Sequence, residues 1–178
     1  MKSVNFGLLL AIAAVALLPV VASAADMTVV FADPAWTGDQ IPEGQHCKKF
    51  GGNAATPPLT VSGMPAGANA IVVEFNDKSY NKLSRDGGHG KVGFLVPDGE
   101  TEVTLIAVPG GTDALPGGTW LVKKNRAKGA WRSDGYLPPC SGGQRNTYAA
   151  DVIAVVVDLA TMEVQEELAE TTIKLGKY

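Results

Sequence analysis

Apolar runs broken by Gly, Pro, Asn and Asp set the pattern of this chain. Met27 to Phe31 is a short apolar run. Leu59 to Val61 is another, closed by Met64-Pro65-Ala66-Gly67. Ala70 to Phe75, reading AIVVEF, is rich in β-branched residues and predicts a buried central strand. Lys91 to Val96 ends at the turn Pro97-Asp98-Gly99. Glu102 to Val108 alternates apolar and polar before Pro109-Gly110-Gly111, and Thr119 to Val122 is short. Tyr148 to Leu159, centred on IAVVV, is the strongest apolar run outside the N-terminus. In the tail, Ala160 to Leu168 predicts a short acidic helix. Thr172 to Gly176 places Ile173 and Leu175 on one face and closes a sheet edge. Most connections are too short for crossover helices, so the strands should pair antiparallel. Their count and spacing predict a mainly β protein, an antiparallel β-sandwich with little helix. No period of 20–50 residues marks a repeat architecture.

The N-terminus follows a different rule. Lys2 precedes an apolar run from Phe6 to Val21, which ends in Ala22-Ser23-Ala24. That order of charge, apolar run and small residues is a secretory signal peptide, with cleavage expected after Ala24. The alternative, an uncleaved anchor, would use a run short for a bilayer span. Residues 25–178 then form a single exported domain, periplasmic or secreted, with no further apolar stretch long enough to span a membrane.

Charge and cysteine content narrow the classes. The full chain has 15 basic and 18 acidic residues. Loss of Lys2 leaves 14 basic residues and a net charge of -4. No basic surplus points to nucleic acid. Cys47 and Cys140 are the two cysteines. In an oxidising compartment such a pair is most simply a disulfide. A metal-thiolate site with the adjacent His46 is the alternative, although the spacing fits no paired C-x2-C pattern.

Candidate chemistry is sparse. The sequence has no nucleophile elbow, P-loop, dinucleotide fingerprint or H-E-x-x-H, and no motif for a cofactor or metal. His89 sits in Asp86-Gly87-Gly88-His89-Gly90. A histidine among glycines is either exposed and idle or faces a cleft that needs close backbone approach. Asp77 follows the AIVVEF run. Tyr136 and Tyr148 flank the loop Asp134 to Tyr148, stiffened by Pro138 and Pro139 and loosened by Gly142 and Gly143. Long loops of this kind are common places for binding sites.

The order of these residues resembles the phosphatidylethanolamine-binding protein family, also called the Raf-kinase-inhibitor-protein-like family, in its bacterial exported branch. Gly51-Gly52-Asn53 through Pro57-Pro58-Leu59-Thr60-Val61 is similar to the family's G-x-N-x-S-P-x-L-x-W segment. Met64 to Val73 is similar to V-P-x-G-T-x-S-x-V-V. Asn76-Asp77-Lys78-Ser79 falls where the family has D-P-D, and Gly88-His89 at its G-x-x-H-W strand start. Gly135-Tyr136-Leu137-Pro138-Pro139 resembles G-Y-x-G-P-x-P-P, Asn146-Thr147-Tyr148 resembles H-R-Y, and Leu175-Gly176-x-Tyr178 resembles the closing L-x-G-x-Y. The resemblance spans roughly residues 40–178.

It implies a β-sandwich with a small pocket for an anion such as a phosphoryl headgroup, formed by Asp77, His89, Tyr136, Asn146 and Tyr148. It also implies a cysteine before the G-x-N segment and another in the P-P loop, the regions of Cys47 and Cys140. Several positions depart from the pattern: the tryptophans around the family's histidine are absent and His89 falls one residue out of register with the strand that follows. Lys78 and Ser79 stand for the proline and second aspartate of D-P-D, and Asn146 stands for a histidine. Weaker or altered anion binding is expected. The resemblance implies a non-catalytic binding protein. One alternative is an envelope protein that modulates a protease or kinase through Lys123-Lys124-x-Arg126-x-Lys128. The other is a hydrolase using Ser84 or Ser141.

Overall fold

In a computed structural model, residues 26–178 are described; the proposed signal peptide lies outside them. Eight strands follow in order: β1 (Thr28–Phe31), β2 (Leu59–Ser62), β3 (Ala70–Asp77), β4 (Lys91–Leu95), β5 (Glu102–Leu105), β6 (Thr119–Lys123), β7 (Thr147–Val157) and β8 (Val164–Lys177). Helical structure among the described residues is limited to two 3-10 turns, Lys48–Phe50 and Gly129–Trp131. One sheet runs β1-β2-β5 and the other β6-β4-β3-β7-β8, with every named strand pair antiparallel. The seven strands predicted up to Leu159 are all present.

The core lies between the sheets. Ile71, Val73 and Phe75 of β3 point into it with Val92, Phe94, Ala150, Val152 and Leu175, and meet Leu59, Val61 and Leu105 of the smaller sheet. The alternate side chains Ala70 and Val72 are also buried, against Ile153, Val155, Val157 and the half-buried Trp120 and Val122. A strand covered on both faces has no polar face to present, which is why Ala70 to Val73 reads as a continuous apolar run, with Glu74 held by Lys91.

The predicted helix over Ala160 to Leu168 is not there. Asp158 Oδ1 accepts from the backbone N–H groups of Ala160 (2.7 Å) and Thr161 (3.2 Å). Met162 takes a positive φ of 60°. These contacts close a hairpin, and β8 then pairs along the whole length of β7. The acidic run is the solvent-facing edge of a sheet. Outward charges on an edge strand oppose pairing with other chains.

The C-terminus is pinned as well as paired. Ile41 N donates to Lys177 O and Lys177 N to Asp39 O, both at 3.0 Å. At Gly176, φ is 133° and a Cβ would lie 2.7 Å from the Gln40 carbonyl carbon. Both conditions demand glycine. Tyr178 N donates to Asn146 O (3.1 Å), and Ser141 Oγ donates to Tyr178 O (2.5 Å). The chain end thereby braces the loop that precedes β7.

Candidate functional site

At the end of the five-stranded sheet where β3 ends and β7 begins, Asp77 and Tyr148 are direct cross-strand partners. Loops 80–89 and 126–146 wall a cavity of about 590 Å³ above them. Asp77, His89, Asn146 and Tyr148 all line it. Tyr136 does not. Its ring is 1% exposed and packs 4.4 Å from Phe75 in the main core, so its expected place in the ligand shell is corrected to a structural one. Burial raises its pKa well above that of a free phenol.

His89 is not exposed but faces the cavity. It is 3% exposed. The loop that carries it folds back so tightly that a Cβ on Gly88 would lie 2.1 Å from the Leu83 carbonyl oxygen. Only glycine permits that approach. Gly88 N then donates to Asn76 Oδ1 (3.0 Å), and His89 N donates to Phe75 O (2.8 Å). Leu137 N donates to His89 O (2.7 Å), and His89 Nδ1 is 2.7 Å from Leu137 O. A carbonyl oxygen can only accept, so Nδ1 carries the proton in the neutral ring. Nε2 is left as a bare acceptor. Nε2 makes no side-chain hydrogen bond to a described residue, and the Pro138 carbonyl is a second backbone neighbour of the ring. The neutral imidazole therefore cannot donate to an anion from the cavity side; it donates there only when protonated.

Burial opposes that protonation. The His89 pKa is lowered from 6.5 chiefly by desolvation, against the Leu137 carbonyl, Asp77 and the Pro138 carbonyl, which raise it. The unfolded chain thus binds the proton more readily. The unliganded protein should be most stable above about pH 6.5 and lose stability as pH falls from there towards the folded value. A urea-unfolding series across that range measures it, and His89→Gln should flatten the slope.

The other groups have fixed tasks. Asn146 Nδ2 donates to Asp77 Oδ2 (2.7 Å), and Ser79 N donates to Asp77 Oδ1 (2.9 Å). Asn146 therefore orients the carboxylate and keeps one N–H to spare. Tyr148 OH accepts from Cys140 N (3.1 Å), and the Tyr148 ring meets His89 edge-on at 5.4 Å. Burial, with Asp77 nearby, pushes the Tyr148 pKa up to about 12, so it stays a phenol able to donate. Ser141 Oγ donates to Tyr178 O and Ser84 Oγ to Asn81 O (3.1 Å), so neither hydroxyl is paired with a base. Among the described residues no cluster of His, Cys, Asp and Glu could hold a metal.

Cys47 and Cys140 form a disulfide, with Cα atoms 5.2 Å apart across 93 residues. His46 instead stacks on Tyr178 at 4.7 Å. Cys140 and Leu137 stand between the large cavity and a second one of about 280 Å³.

The cationic run 123–128 is mostly engaged. Asp86 pairs with Lys91 (2.8 Å), Lys123 (2.7 Å) and Arg126 (3.3 Å). Arg126 also donates to the carbonyls of Lys82, Arg85 and Asp86 and so clamps the 82–86 loop. Hydrogen bonds from Lys123 and Lys91 hold the Asp86 pKa at about 2. That stabilisation is present above the unfolded value of 3.8 and is lost as pH falls towards 2. Because Asp86 is half exposed, Asp86→Ala should cost only about 1 kcal/mol in thermal or urea unfolding at pH 7. It should also loosen the loop bearing His89. Lys82, Lys128 and Trp131 line the cavity too, and sequence reading missed Lys82 and Trp131. No local signal marks them, because they share the cavity with His89 only through the folding of two separate loops.

No protein-family model matches the chain, and no curated protein matches it. Among solved structures it is similar to a crystal structure from Chlamydia trachomatis described as a "Putative PhosphatidylEthanolamine-Binding Protein (PEBP) Homolog". The two share 22% identity and a TM-score of 0.51, over 86% of this chain and 97% of that one. The likeness shows the fold, an antiparallel β-sandwich of the phosphatidylethanolamine-binding protein type.

Proposed function

We propose that this chain is an exported binding protein whose cavity takes a small zwitterionic phosphoryl headgroup and performs no chemistry on it. The observation that carries this reading is the convergence of His89, Asp77, Asn146 and Tyr148 on one cavity, with no side-chain hydrogen bond to His89 Nε2. Tyr148 OH, the spare Asn146 N–H and protonated Nε2 are donors for phosphate oxygens. Lys82 and Lys128, which form no ion pair among the described residues, add positive charge at the rim. The Asp77 carboxylate is the partner for an ammonium. Phosphoethanolamine has both charges, and its likeness to the headgroup named for the fold relative agrees with this assignment. The commitment of Ser84 and Ser141 to carbonyls supports a binding role over hydrolysis. The signal-like N-terminus and the disulfide support export.

The bare Nε2 makes binding proton-linked. Either His89 is protonated against a phosphate dianion, or a phosphate monoanion donates its own hydroxyl to Nε2. Both complexes hold one proton there. A phosphomonoester loses its second proton near pH 6, and His89 is neutral above that range. Affinity should therefore fall with rising pH above about 7, by roughly tenfold per unit for one linked proton. Calorimetry of phosphoethanolamine binding in two buffers of different ionisation enthalpy reads the proton directly. Inorganic phosphate should bind more weakly, because it leaves Asp77 unpaired. Binding that is pH-independent and unchanged in His89→Ala would rule this reading out.

A further inference from the structure

The two 3-10 turns meet on the surface beside the cavity mouth. Phe50, from the first, lies 5.6 Å from Trp131, from the second, with Lys49 Nζ 4.3 Å from the centre of the indole ring. Both aromatic rings are substantially exposed, at 37% and 43%. Around them stand Lys48, Lys49, Lys128 and Arg132, all exposed. None of these four forms an ion pair among the described residues, whereas Lys78, Lys91, Lys123, Lys124, Arg126 and Lys174 all do. Asp134 is the acid that lines the second cavity, and it lies 3.7 Å from Lys124.

Negative charge gathers elsewhere. Glu163, Glu166, Glu167 and Glu170 are exposed at the β7–β8 hairpin. Its tip, at Val157, is nine residues along β7 from Tyr148, about 30 Å at strand rise. A chain with more acids than bases thus keeps an unpaired basic and aromatic face at the end where the cavity opens.

We propose that this face docks on an anionic phospholipid bilayer, so that the cavity meets headgroups at the membrane surface. Two chemistries combine in the assignment. Lysine and arginine next to a negatively charged leaflet are attracted within a Debye length. An exposed tryptophan with a phenylalanine beside it sits at the level of the headgroups, where its ring is half in hydrocarbon and its N–H is wet. Trp131 also lines the headgroup cavity, which places the mouth of the site at the docking plane. An acidic protein would satisfy the cations, but it would leave the exposed aromatic pair without the apolar layer it fits. The proposal rests on the headgroup reading for its purpose, and the test separates the two.

The oxidised protein is sedimented with vesicles of phosphatidylcholine alone and of phosphatidylcholine mixed with phosphatidylglycerol. The protein should pellet with the anionic vesicles, and high salt should release it. Brominated acyl chains should quench part of the tryptophan fluorescence. Trp36 is buried and Trp120 half-buried, so Trp131 is the reporter. Lys48→Glu with Lys49→Glu should weaken vesicle binding by more than about tenfold. These two lysines do not line the headgroup cavity, so phosphoethanolamine affinity should stay as in the unaltered protein. Equal pelleting with both vesicle types, or unaltered pelleting of the double variant, overturns the proposal. So does pelleting without quenching, which would mark a charge contact with no insertion and favour an acidic macromolecule as the partner. If vesicles bind as described and phosphoethanolamine does not, docking stands and the headgroup reading falls.

Discussion

Replacing both Cys47 and Cys140 with alanine should lower the unfolding free energy by up to about 4–5 kcal/mol, in the chain-entropy account of a cross-link closing a loop of this length. The link spans 93 residues and joins the segment before β2 to the loop before β7. The other contacts between those regions are mostly at the surface, such as Phe50 and Lys49 on Trp131. Cys47 N donates to Pro139 O (3.0 Å), and Cys140 N donates to Tyr148 OH. Loss of the link should therefore reach the site as well as the fold. Tyr148 would lose a fixed hydrogen-bond donor, and the wall between the two cavities would soften. Urea unfolding of the oxidised protein, the reduced protein and the double variant measures the effect. A change below about 1 kcal/mol would show that the loop is held by packing alone.

Gly88→Ala should be nearly as damaging. The new methyl would meet the Leu83 carbonyl oxygen at 2.1 Å and the Leu83 Cα at 2.3 Å. Both are backbone atoms, so no side chain can swing away and the loop itself must move. Overpacking of this kind costs typically about 3 kcal/mol. The movement would pull His89 off Phe75 O and Leu137, so headgroup affinity should fall by at least about tenfold. Gly117→Ala is the control, because a methyl there meets nothing within 4 Å and the backbone needs no special φ. It should change stability by less than about 0.5 kcal/mol. Equal behaviour of the two variants would mean that the tight turn at Gly88 does not position His89.

The sequence was informative where local rules governed the outcome. Strands such as β3 and β7 declare themselves because burial on both faces favours apolar runs rich in Val and Ile between turn residues. The cysteine pair was legible by count and compartment, and the motif order pointed to the fold. The C-terminal part of β8 was legible, since Thr172 to Gly176 does close the sheet edge; its first part was misread as helix because irregularities in the pairing with β7 break the two-residue alternation. Its acidic side chains, moreover, face solvent at an edge. Tyr136 and Tyr148 look alike in sequence, flanking the same loop. Only the fold sends one ring into the core against Phe75 and leaves the other beside His89. The role of Asn146 was half legible. Its departure from histidine was visible, but its use as a clamp on Asp77 depends on the pairing of β3 with β7. Lys82, Lys128 and Trp131 enter the site through tertiary folding, which no short-range pattern encodes.

The central claim is that the cavity at His89 binds a phosphoryl headgroup with uptake of a proton. An NMR titration of the oxidised protein with phosphoethanolamine, followed at the His89 ring and the Tyr148 backbone amide, tests it most directly. The account predicts saturable shifts at both residues, tighter binding at pH 6 than at pH 8 by at least about tenfold, and no saturation in His89→Ala. Absence of shifts at His89 and Tyr148 up to high millimolar phosphoethanolamine would contradict it.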